Sequence, residues 1–108
     1  MTFEEFKDTL VLEDPPAGLG APFLSLWKDA RGDWEAAHRV VQSDESSEAA
    51  WVHAYLHRKD GDLANVSYWY LRAHRSMPSS SSEEEWERIV RALLSLPTPS
   101  PFTLKELK

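Results

Sequence analysis

The chain has 108 residues, 42% of them hydrophobic, with five tryptophans and a formal net charge of −6. That composition belongs to one folded domain with a single core and excludes a disordered acidic tail. The acidity argues against general nucleic-acid binding, which needs a basic surface, and the absence of cysteine excludes disulfides and thiolate metal sites.

The opening MTFEEFKDTL lacks a basic region followed by an apolar run, so no secretory leader is expected. Apolar runs fall far short of the roughly 20 residues that a spanning helix needs. A soluble, cytoplasmic protein with no membrane partner is the expectation.

Thr2 and Glu5 have the spacing of a capping box and predict a first helix with Phe3, Phe6 and Leu10 on one face, ended by Pro15-Pro16. Pro22 suits the first turn of a second helix, whose Phe23, Leu26, Trp27 and Ala30 form an apolar face and whose C-cap is Gly32. Asp33 opens a third helix carrying Trp34, Ala37 and Val41, which ends near Gln42 before the turn chemistry of residues 43–47. A fourth helix is predicted from about Glu48 to Lys59 and a fifth from Asp62 to about Arg75, separated at Gly61. Ser82 and Glu85 read as a second capping box for a sixth helix with Trp86, Ile89, Val90, Leu93 and Leu94 as its buried stripe. No alternating β-branched run occurs, so the chain is predicted all-α. Residues 1–96 are expected to form one helical domain, and 97–108 a Pro-rich linker and tail in which one last short turn is expected.

Overlaying Gly32-Asp33 on Gly61-Asp62 gives an offset of 29 residues, which pairs Leu26 with Tyr55, Trp34 with Leu63, Ala37 with Val66 and Val41 with Tyr70. Such a period points to stacked helical units, each too small to bury its own apolar face. The second unit resembles a tetratricopeptide repeat through Ala54, the Gly61-Asp62 turn, Val66-x3-Tyr70, Ala73 and Pro78. The first matches more loosely through Leu24, Ser25, Gly32-Asp33 and Ala37-x3-Val41. His53 and His57 stand where the family has Leu and Tyr, and Ala50 where it has Trp, with Trp51 one place later. The string from Trp51 to Arg75 also resembles a group of small bacterial proteins to which no activity is attached. The resemblance implies two stacked hairpins, with the first helix capping one end and Ser82–Leu96 the other. It implies no catalytic residue.

His53 and His57 lie at i, i+4, so they share one helix face, a spacing able to chelate a divalent metal. The general-base Glu of H-E-x-x-H is missing, and a third ligand would have to come from His38 on the preceding helix. The expected reading is a structural cluster, hydrogen-bonded to Gln42, Asn65 or Tyr68, with no metal and no cofactor. The alternative is a polar pocket of a ligand-binding protein or small enzyme among His38, His53, His57, Asn65 and Trp69, with or without a metal. The serines crowd into residues 43–47 and 79–82 without a nucleophile elbow, and Gly18-x-Gly20 follows no strand. Whether the protein is an enzyme stays open.

Residues 51–75 carry a net charge of +2 inside the acidic chain. Trp51, Tyr55 and Arg58 form a cationic and aromatic stripe at helical spacing, and Asn65, Trp69 and Arg72 a second. In the family the first stripe would line a concave face. The expected function is therefore a non-enzymatic interaction module that holds an acidic or other anionic group of a protein or small ligand. The competing reading of each arginine is a pairing with a nearby carboxylate of the chain itself.

Overall fold

The computed structural model describes residues 1–96, which fold into six α-helices with no strand among the described residues. Helix α1, Phe3–Asp8, starts with the expected capping box: Glu5 N–H donates to Thr2 Oγ1 at 3.0 Å, and Thr2 N–H to Glu5 Oε1 at 2.7 Å. It stops well before the prolines and passes into a 3-10 turn over Thr9–Val11. One local and two tertiary contacts account for this early end. Thr9 Oγ1 donates back to the Phe6 carbonyl at 2.6 Å, and the Arg31 guanidinium takes the Leu10 and Leu12 carbonyls.

Helix α2, Ala21–Ala30, has Pro22 in its first turn, and α3, Trp34–Gln42, is capped by Asp33, whose carboxylate accepts from Ala36 N–H at 3.0 Å. Helix α4, Ser47–Asp60, is capped by Ser46, and α5 covers Leu63–Arg72. α5 ends before the predicted Arg75 because His74 turns left-handed (φ 59°) and the Arg75 N–H bonds back to the Tyr70 carbonyl. Helix α6, Ser82–Ser95, has its capping box one residue earlier than predicted, on Ser81 and Glu84. Glu85 is buried instead of capping.

α2 packs on α3, α4 packs on α5, and α3 lies against α4, so two hairpins stack. α6 lies across α4 and α2, with α1 against it. α4 is the centre: every residue from Ala49 to Leu56 is buried, as in a helix with neighbours all round. Phe6, Leu26, Val41, Val52, Leu56, Val66, Ile89 and Val90 form the innermost core. The extensive packing of α5 is with α4 alone, which leaves Tyr68 and Leu71 at 52% and 75% exposure. No helix of the described residues is long and apolar enough to cross a membrane. The predicted linker and tail, 97–108, lie outside the described residues.

Candidate functional site

The first predicted stripe is covered rather than open. Trp51 and Tyr55 are 4% and 2% exposed, because α6 and α2 lie on the faces of α4 that carry them. Trp51 and Arg58 do hold an anionic group, but it is the chain's own Glu85, which is fully buried. Arg58 Nη1 donates to Glu85 Oε1 at 2.8 Å, while Trp51 Nε1 and the Tyr70 hydroxyl donate to Oε2 at 3.2 and 2.5 Å. Arg58 also donates to the Ser80 carbonyl. Tyr55 serves a second buried carboxylate: its hydroxyl donates to Asp29 Oδ2 at 2.6 Å, beside Lys59 Nζ at 3.0 Å from Oδ1. Burial, then the neighbouring carboxylate, raises both phenols far above their usual range, so both remain donors.

The three histidines do converge. The i, i+4 spacing stacks His53 on His57 with centroids 4.9 Å apart, and α3 brings His38 edge-on to both, at 4.6 and 5.2 Å. His38 Nε2 and His53 Nε2 are 3.0 Å apart, and one ring nitrogen from each histidine lies within 4.8 Å of the other two. Indoles wall the cluster: Trp34 stacks on His38 at 5.0 Å and Trp69 on His53 at 3.8 Å. Trp34 is held in place by donating Nε1–H to the Leu56 carbonyl at 2.9 Å. Burial first, then His38 and His57, lowers the His53 pKa to about 4. Burial, then His57, also lowers that of His38. Both rings are therefore neutral at pH 7.

The predicted hydrogen-bond partners of this cluster are engaged elsewhere. Asn65 donates to Asp62 at 2.9 Å, the Tyr68 hydroxyl accepts from Arg72 at 3.2 Å, and His38 bonds to His53 rather than to Gln42. His57 Nδ1 is buried with no hydrogen-bond partner; Asp62 Oδ2 stands 3.4 Å away, out of alignment. His53 is 4% exposed and the His57 side chain 12%, so these rings are packed rather than lining an open concavity.

The second stripe remains at the surface. The Arg72 guanidinium lies 5.5 Å from the Trp69 ring and 5.9 Å from the Tyr68 ring; Arg72 and Tyr68 are exposed and Trp69 is half-buried. Trp69 thus joins this surface to the histidines behind it. Arg75 lies over Trp51, 3.5 Å from the ring centroid.

No family model, curated protein or solved structure matches the chain significantly. Three participants escaped the sequence reading. Glu85 looked like a capping residue, yet it lies at i, i+4, i+8 with Ile89 and Leu93 and so faces the core. Asp29 lies one turn after Leu26 on the buried face of α2. Trp34, at i, i+4 with His38, was assigned only to the core.

Proposed function

We propose that the protein is a non-enzymatic interaction module that holds an acidic segment of a partner protein against the outer face of α5. The recognising groups are Tyr68, Trp69 and Arg72. The observation that carries this reading is the contrast between the two arginine–aromatic stripes: Arg58 is neutralised by Glu85, whereas Arg72 is exposed and, among the described residues, has only ring and hydroxyl neighbours. From Leu63 to Arg75 the sequence has two arginines and no acidic residue, in a chain of net charge −6. Leu71, at i, i+3 with Tyr68, adds an exposed apolar anchor. Arginine and aromatic rings beside an apolar contact are the composition that interface hot spots favour. The outer side of α5, which no other helix of the described residues covers, supplies the face.

A synthetic peptide of alternating glutamate and leucine, titrated against the full chain by tryptophan fluorescence, tests it. Saturable binding that weakens with salt is expected, together with a loss of about tenfold or more in Arg72→Ala at an unchanged melting temperature. Equal binding of the Glu→Gln peptide, or indifference to Arg72→Ala, would refute it.

A further inference from the structure

We propose that His38, His53 and His57 form a three-imidazole site for a divalent transition metal of the zinc class, bridging the two hairpins through α3 and α4. Zinc–nitrogen bonds of about 2.0–2.1 Å in a tetrahedron set ligand nitrogens about 3.3 Å apart. The His38 and His53 nitrogens are 3.0 Å apart, and the widest separation in the trio is no more than 4.8 Å. Side-chain rotation has to bring the trio to that spacing. Imidazole without carboxylate selects zinc, copper or nickel over calcium or magnesium. Three protein ligands leave one coordination position for water or an anion.

A further observation points to the same ligand, which His57 would meet through Nε2. Asp62 stands at the position that Asp33 holds in the first hairpin, but it makes no side-chain cap to its helix. Its carboxylate sits instead beside His57 Nδ1 and is fixed by the Asn65 amide. A carboxylate behind a ligating histidine orients the ring and raises its basicity. The Trp34 and Trp69 rings restrict the motion of the imidazoles from both sides.

The test titrates chelator-treated full-length protein with Zn²⁺ by calorimetry and with Co²⁺ by visible absorption. One equivalent is expected to bind, with a raised melting temperature and the intense ligand-field bands of four-coordinate cobalt. His38→Gln, on the half-buried ligand, removes the tight site, and Asp62→Asn weakens it about tenfold. His74→Gln, remote in the α5–α6 turn, leaves it intact. Should His53 variants fail to fold, His38→Gln and Asp62→Asn still decide the matter. No stoichiometric binding, six-coordinate cobalt spectra, or unchanged affinity in His38→Gln overturns the proposal.

Discussion

The α2–α3 and α4–α5 hairpins turn on the same backbone and use it differently. Gly32 and Gly61 adopt φ 87° and 80°, and Asp33 and Asp62 follow with ψ 76° in both. In each turn the glycine N–H bonds three residues back and the aspartate N–H five back. Past the turn the two diverge. Asp33 caps α3, whereas Asp62 gives up the cap and faces His57 and Asn65. The first hairpin keeps Leu26 and Val41 in the core where the second has Tyr55 and Tyr70, both bonded to buried carboxylates. Backbone conformation is set by glycine and by local hydrogen bonds, so it tolerates wide side-chain change. Buried polar groups occur in both hairpins, Ser25 and Asp29 in the first and His53 in the second, but only the second supplies two histidines to the cluster.

The largest effect expected on this contrast comes from the two buried carboxylates. Glu85→Ala leaves Arg58 charged and largely buried, with Trp51 and Tyr70 unpaired, and costs about 3–5 kcal/mol in urea unfolding. Asp29→Asn costs about 1–3 kcal/mol, because Lys59 is exposed enough to turn to water. The reverse order would break the distinction between them.

The histidines give the next effect. The His53 pKa of about 4 in the fold lies below the ordinary 6.5, so the unfolded chain binds the proton more tightly. The stability contributed is complete above pH 6.5 and falls as pH drops toward 4, by up to about 3 kcal/mol. In chelator-containing buffer, His53→Phe should flatten that part of the stability–pH curve; an unchanged slope would assign the loss to other groups. The first hairpin adds a loss of the same sign only through His38, whose pKa is also lowered by burial.

The smallest effect tests the likeness itself. Gly32→Ala and Gly61→Ala should each cost about 1 kcal/mol through the positive φ, and should agree within a few tenths, since an added Cβ meets nothing within 4 Å at either site. Unequal costs in thermal unfolding would show that the two turns carry different strain.

Helix starts, the glycine turns and the apolar faces were legible because caps, φ preferences and periodicity are local. What covers each face was not. Eight consecutive buried residues in α4 leave no periodic signal to separate an open stripe from a covered one, so Trp51, Tyr55 and Arg58 read as a surface. Glu85, which Trp51 and Arg58 hold, lies 27 residues beyond Arg58, and only the docking of α6 brings the two together. The histidine trio was foreseeable, because i, i+4 spacing and stacked hairpins bring His38, His53 and His57 together. Its indole walls and the diverted Asp62 depend on side-chain orientation, which spacing does not give.

The proposal of a metal site rests most heavily on His38, His53 and His57 acting together as ligands, and two-bond ¹H–¹⁵N imidazole spectra at pH 7 read this directly. In chelator the His38 and His53 rings should be neutral, and one equivalent of zinc should shift the nitrogens of His38, His53 and His57 together. His74, in the exposed turn after α5, is the internal control and should not move. Zinc shifts confined to His74, or no change in the trio, would contradict the account.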